Sequence, residues 1–177
     1  EMGAQVDHAN ESGVTALMHA CNQGHDLCAR ALLKAGAKLE ATQNEGYTAL
    51  MLSCHGGHDQ CARALLKAGA KLEATQNQGF TALMYSCQNG HDQCARALLE
   101  NGADASYATA DGWTALMAAA QDGPDQCARA LLENGAQVNH AATNGFTAYM
   151  AAFQDRQDLY APDLRENGAT PDHTAEN

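Results

Sequence analysis

An all-α solenoid of helix-turn-helix units with projecting β-turn fingers is the fold this sequence predicts, on three observations. The step Gly-Ala returns every 33 residues, at Gly3-Ala4, Gly36-Ala37, Gly69-Ala70, Gly102-Ala103, Gly135-Ala136 and Gly168-Ala169. A fixed period of this length marks a unit too small to bury its own apolar face and stable only when stacked on neighbours. Isoleucine is absent and valine occurs only at Val6, Val14 and Val138, so Ala and Leu supply the core, a mix that favours helix over strand. Within each period, two apolar stretches at helical spacing are divided by a Gly.

Residues 69–101 illustrate the unit. Thr81 is a good N-cap, and Ala82-Leu83-Met84 with Cys87 forms a short first helix that ends before Asn89-Gly90. Asp92 opens the second helix near the positive end of its dipole and four residues before Arg96, while Cys94, Ala95, Leu98 and Leu99 make its apolar face. Gly102 closes that helix as a left-handed cap residue. The segment between helices, such as 69–79, is rich in turn formers around a single apolar Leu72. It reads as an extended loop reversing at Asn77-Gln78-Gly79, the finger.

Five full units, 3–35, 36–68, 69–101, 102–134 and 135–167, and a partial one, 168–177, fill the chain without a linker, so 1–177 is read as one domain. The fifth unit departs from the rest: Arg156-Gln157 replaces Gly-His, Tyr160 replaces the recurring Cys, Arg165 replaces a core Leu, and Pro162 falls in the second helix. Polar substitution suits a solvent-facing end, and the proline predicts an irregular last helix. The first unit has no such polar conversion, which leaves its outer side awaiting either further chain or a covering partner.

Formal charge is −11, unevenly spread: residues 1–98 carry 7 Lys and Arg against 9 Asp and Glu, residues 99–177 carry 3 against 12. Such a field disfavours nucleic acid and anionic membrane and either favours a basic partner or serves only to keep the chain soluble. The absence of long apolar runs argues against a signal peptide or membrane span.

The Gly13-Val14-Thr15-Ala16-Leu17-Met18 opening and its copies, the pairs Gly24-His25, Gly57-His58 and Gly90-His91, the Ala-Leu-Leu end of the second helix and the Gly-Ala after it resemble the ankyrin repeat, over the whole chain. That family usually has T-P-L-H where this chain has T-A-L-M, so its helix-starting Pro and its hydrogen-bonding His are missing. The resemblance implies a non-catalytic protein–protein interaction module whose partner lies in the concave groove of finger tips and first helices.

Comparison within the chain points to the same positions. Residues 36–68 and 69–101 differ only at Glu45/Gln78, Tyr47/Phe80, Leu52/Tyr85, His55/Gln88, Gly56/Asn89, Lys67/Glu100 and Ala68/Asn101. The exposed second-helix residues Gln60 and Arg63 are unchanged in their copies Gln93 and Arg96, so free drift of surface positions does not account for the pattern. The residue after each finger Gly is Val14, Tyr47, Phe80, Trp113 and Phe146, a ladder of the side chains that dominate interface energetics, although each ring has the alternative of packing on the neighbouring finger. Asn44, Asn77, Gln88, Asn89, Gln121 and Asn144 surround the ladder with amides suited to peptide backbone, and Asp111 and Asp122 add charge for a basic partner. These residues form the candidate partner-binding site.

Cysteine and histidine recur as C-x3-H-x2-C at Cys21/His25/Cys28, Cys54/His58/Cys61 and Cys87/His91/Cys94, with Cys127 left over. Structural zinc wants four ligands, and nothing supplies a fourth except His55 beside the second copy. Each Cys falls on an apolar face, where it serves as a small hydrophobe. No cofactor or metal is expected, and the free thiols suggest an intracellular setting. No nucleophile elbow, phosphate loop or H-E-x-x-H is present, which argues against an enzyme. Two other readings stay open: a self-assembling scaffold, with end-to-end stacking of an otherwise monomeric chain, and a metal- or redox-responsive solenoid.

Overall fold

The computed structural model describes residues 5–122, 125–154 and 161–170. Ten helices are described: α1 (Ala16–Asn22), α2 (Asp26–Lys34), α3 (Ala49–His55), α4 (Asp59–Lys67), α5 (Ala82–Gln88), α6 (Asp92–Glu100), α7 (Ala115–Asp122), α8 (Asp125–Glu133), α9 (Ala148–Gln154) and α10 (Ala161–Glu166). No extended strand forms among the described residues. The β-pairing among the described residues is three isolated bridges, Ala9 with Thr15, Ala108 with Thr114 and Ala141 with Thr147, at the bases of fingers.

Each first helix starts for the same reason. Thr15, Thr48 and Thr81 are extended, and their hydroxyls accept from the N–H of Met18, Met51 and Met84 at 3.3 Å, satisfying a donor that the first turn leaves unpaired. Thr114 and Thr147 bond Met117 and Met150 alike. The chain thus caps its helices without the family's proline. Both helix ends use the same reversal. After α4, the Gly69 N–H donates to Leu66 O (3.0 Å) and the Ala70 N–H to Leu65 O (3.1 Å), with Gly69 left-handed at φ +91°. Gly102 closes α6 in the same way, as its position predicts.

Helices pack in two rows. The first helices α1, α3, α5, α7 and α9 stack on one another, α2, α4, α6 and α8 form the second row, and each pair closes as a hairpin. One continuous core of Leu, Met, Ala and Cys runs between the rows. Leu98 and Leu131 are fully buried in it, as is Leu164 near the far end. At that end Arg165 lies exposed over the Tyr149 ring, 5.6 Å from its centroid, and its Nε donates to the Tyr149 hydroxyl at 2.9 Å. A polar guanidinium in place of a core Leu therefore faces water over this ring. Pro162 is exposed in α10, whereas Arg156, Gln157 and Tyr160 lie outside the described residues.

Three sets of polar contacts fix the spacing between consecutive helix pairs. In the first, a side-chain acceptor in one loop takes a backbone N–H from the next: Asp7 from Lys38 (2.8 Å), Glu40 from Lys71 (2.9 Å), Glu73 from Asp104 (2.9 Å), Ser106 from Gln137 (3.1 Å) and Asn139 from Thr170 (3.1 Å). In the second, the imidazole Nε2 of His58 meets Asn22 O and that of His91 meets His55 O, both at 3.1 Å. A carbonyl only accepts, so Nε2 carries the proton. The His58 ring lies where a Cβ on Gly24 would be, and the His91 ring does the same at Gly57, 2.6 Å from Nδ1. The recurring Gly-His is therefore one interlocking contact across each of the first two junctions. In the third, fingers bond to fingers: Asn44 N–H to Ser12 O (3.0 Å), Asn77 N–H to Glu45 O (3.1 Å) and Thr143 N–H to Asp111 O (2.9 Å).

Candidate functional site

Each finger is a tight turn. The Gly46 N–H donates to Gln43 O (2.8 Å) and the Gln43 N–H to Tyr47 O (3.2 Å), and the pattern repeats at Gln76/Gly79/Phe80, Thr109/Gly112/Trp113 and Ala142/Gly145/Phe146. The geometry exposes the tip residues Asn44, Glu45, Asn77, Gln78, Asp111 and Asn144 and leaves the ring after each Gly partly buried at the finger base.

The rings do not form an evenly spaced ladder. Trp113 and Phe146 stack in parallel, with centroids 5.7 Å apart and planes 6° from coplanar. Tyr47 and Phe80 are instead joined through Tyr85 of α5, whose ring centroid is 5.4 Å from Tyr47 and 5.7 Å from Phe80. His55 completes this cluster edge-on to Tyr85 at 5.4 Å. Tyr47, Phe80, Trp113 and Phe146 each pack against another aromatic residue and stay partly exposed.

Tyr85 differs from its sequence expectation. Placed among the outer first-helix positions, it is only 7 % exposed, covered by its three aromatic neighbours. Its hydroxyl receives the Gln76 Nε2–H at 2.9 Å and lies 2.8 Å from the Tyr47 hydroxyl. With Gln76 donating inwards, the network suits Tyr85 donating to Tyr47, which leaves the outer hydroxyl of Tyr47 a proton to offer. Burial, and then the Tyr47 hydroxyl, push the Tyr85 phenol well above its usual range, so it stays protonated. Tyr85 is thus the support that sets the tilt of Tyr47 and Phe80.

The amides are also partly engaged. Asn44 Nδ2 donates to Glu11 O and Asn77 Nδ2 to Asn44 O, both at 3.4 Å, so these side chains tie finger to finger. The next finger has Ala110 at that position, and the rung is absent there. Asn89 Nδ2 donates to Tyr85 O (2.9 Å), and Asn144 Oδ1 accepts from the Phe146 N–H (3.0 Å). Leu52, Gln88 and Gln121 are partly buried on the first-helix row, with His55 and Asn89 exposed at helix ends; Asp122 ends α7, and its side chain lies outside those described. The Thr109 hydroxyl bonds the Asp111 carboxylate, which, with backbone N–H groups, holds that carboxyl below its usual range and keeps it an anion.

Between the second and third fingers lies a shallow cleft of about 290 Å³ lined by Glu45, Tyr47, Gln76, Asn77 and Gln78. It brings a carboxylate, a phenol and three amides together beside an aromatic base, an arrangement able to take a cationic or amide side chain. Among the described residues no group of three or more His, Cys, Asp and Glu clusters to hold a metal ion. No helix among them is long and apolar enough to cross a membrane.

The thiols occupy a register that reading each unit separately misses. Cys21 of α1 and Cys61 of α4, Cys54 of α3 and Cys94 of α6, and Cys87 of α5 and Cys127 of α8 are neighbours that shift one another's ionisation. Cys127, the leftover by sequence, thus has a partner, and the exposed one is Cys28. The signal lay in the constant separation of 40 residues, which crosses from one unit to the next.

Compared with models of protein families, the chain matches the one described as ankyrin repeats (3 copies), over residues 2–76, 36–109 and 102–175. No curated protein matched it.

Proposed function

The chain belongs to the ankyrin-repeat family, whose members generally mediate protein–protein interaction, and on that premise we propose that it is a non-catalytic module binding an extended, basic partner segment along its fingers and first helices. One observation carries this reading. Positions that differ between the near-identical segments 36–68 and 69–101 touch one another: Tyr47, His55, Phe80 and Tyr85 form a single aromatic cluster. Glu45 and Asp111 stand on the second and fourth finger tips, either side of Gln78, and the net charge of −11 favours encounter with a cationic chain. A setting inside the cell suits the free thiols.

Selection of binders from a random-peptide display library tests it. Selected peptides should be rich in Lys and Arg, and Trp113→Ala or Phe80→Ala should weaken their binding by about 30-fold, or about 2 kcal/mol, as for a buried aromatic anchor. Arg63→Ala and Arg96→Ala, on the second-helix row, should leave it unchanged. The reverse pattern would place the partner on the other face.

A second reading, end-to-end assembly, has its own observation. Leu27, where the later second helices carry Gln60 and Gln93, is 77 % exposed, and Cys28, Ala16 and Ala31 beside it are exposed whereas Cys61, Ala49 and Ala64 are buried. Sedimentation at increasing concentration separates the two, since Leu27→Glu should abolish any assembly and leave peptide binding intact.

A further inference from the structure

Six of the seven cysteines are wholly excluded from solvent, and they interact in three pairs. In each pair a Cys in the last turn of a first helix meets a Cys in the first turn of the following pair's second helix: Cys21 with Cys61, Cys54 with Cys94, Cys87 with Cys127. The third contact is between helices in direct contact, α5 and α8. Packing alone does not require this pairing, because an Ala or Ser would fill either place. Yet both members are present at three successive junctions, and both are absent at the fourth, where the equivalent positions are Ala120 and Tyr160. Cys28 is exposed and has no such partner among the described residues.

We propose that the three pairs are modification sites: latent staples that close to the disulfides Cys21–Cys61, Cys54–Cys94 and Cys87–Cys127 when a small-molecule disulfide reaches them, tying the first four helix pairs into one covalent body. One thiolate attacks the reagent's S–S bond, forming a mixed disulfide and releasing one reagent thiolate. The facing thiol, after losing its proton to water, displaces the second reagent thiolate. Two protein thiols and one reagent disulfide thus become one protein disulfide and two reagent thiols. In the closed array the reaction is blocked, since the reagent has no path to the buried sulfurs. It proceeds when neighbouring helix pairs part in a local opening. On closing, the two sulfurs come back to within reach, and thiols elsewhere in the array do not.

The test uses the whole chain with oxidised glutathione, first without denaturant and then in urea just below the unfolding midpoint, followed by peptide mapping without reduction. Without denaturant, Cys28 alone should take up glutathione. Near the midpoint, the intrachain links should be 21–61, 54–94 and 87–127 and no others, and the oxidised chain should unfold at higher urea than the reduced one. In Cys61→Ala, Cys21 should be left as a glutathione adduct while the other two links still form. Links within a unit, such as 21–28 or 54–61, glutathione adducts on both members of a pair, or pairs that stay reduced at every urea concentration would each overturn the assignment.

Discussion

Replacing Gly57 by Ala should cost about 2–3.5 kcal/mol of stability and replacing Gly69 by Ala only about 1–2 kcal/mol, the strain of left-handed alanine plus, at 57 alone, a lost hydrogen bond. The two glycines have similar backbones, at φ +73° and +91°. The structure separates them by what an added methyl would meet. At 69 nothing lies within 4 Å; at 57 the new Cβ falls 2.6 Å from Nδ1 and 2.7 Å from Cε1 of His91. Only Gly57→Ala must therefore displace the imidazole and break its 3.1 Å bond to His55 O. Urea unfolding of the single variants, with His91→Ala added to each, measures the difference as a coupling. His91→Ala should cost about 1 kcal/mol less beside Gly57→Ala than beside Gly69→Ala, because the contact it removes is already lost. Equal costs for the two glycine variants, or strict additivity with His91→Ala, would refute the argument that the Gly-His pair acts as one contact across the junction.

Other expectations follow from packing and charge. Leu83→Ala, Leu98→Ala and Leu99→Ala should each cost about 2–5 kcal/mol in urea unfolding, since a close-packed interior relaxes poorly around a cavity. Leu164→Ala should cost global stability less, because the last helix pair has one neighbour instead of two. Neutralising Asp111 should chiefly slow association with a basic peptide in stopped-flow mixing, an effect lost at high salt. Burial, reinforced by Cys61 and Cys54, pushes the Cys21 thiol up from 9.0 to about 12. The folded state therefore holds that proton longer than the unfolded chain, and stability present below pH 9.0 is lost as pH rises towards about 12, by about 1.4 kcal/mol per pH unit for such a thiol. Cys21→Ala should flatten the alkaline limb of the stability profile by that share.

Helix positions and caps were legible in the sequence because they are local: a Thr followed by Ala-Leu-Met, or a Gly after Ala-Leu-Leu, defines an end whatever surrounds it. Contacts across junctions were not. Cys21 and Cys28 share a unit and recur together, whereas stacking sets Cys21 against Cys61. The acceptors Asp7, Glu40, Glu73, Ser106 and Asn139 differ in type, so their shared role shows only when position, and not identity, is followed through the period. Tyr85 looked like a surface variation on Leu52. Its burial depends on Tyr47, Phe80 and His55 converging from three elements, which no property of position 85 alone announces.

The backbone N–H contacts between successive helix pairs also have a direction. Among the described residues, every backbone N–H that crosses a junction comes from the later segment and ends on an acceptor of the earlier one: Lys38 on Asp7, Asn44 on Ser12, Asp104 on Glu73, Thr170 on Asn139. One side of each unit is a plug and the other a socket. Two chains meeting through like ends would set donors against donors, so a two-fold dimer cannot reuse these bonds. A chain joining another through them must go head to tail, and such a join leaves a fresh socket and plug at its extremities. For the same reason, a further 33-residue segment inserted at any junction would find both of its neighbours already matched, so the array can lengthen by whole units without redesign of what flanks the insertion.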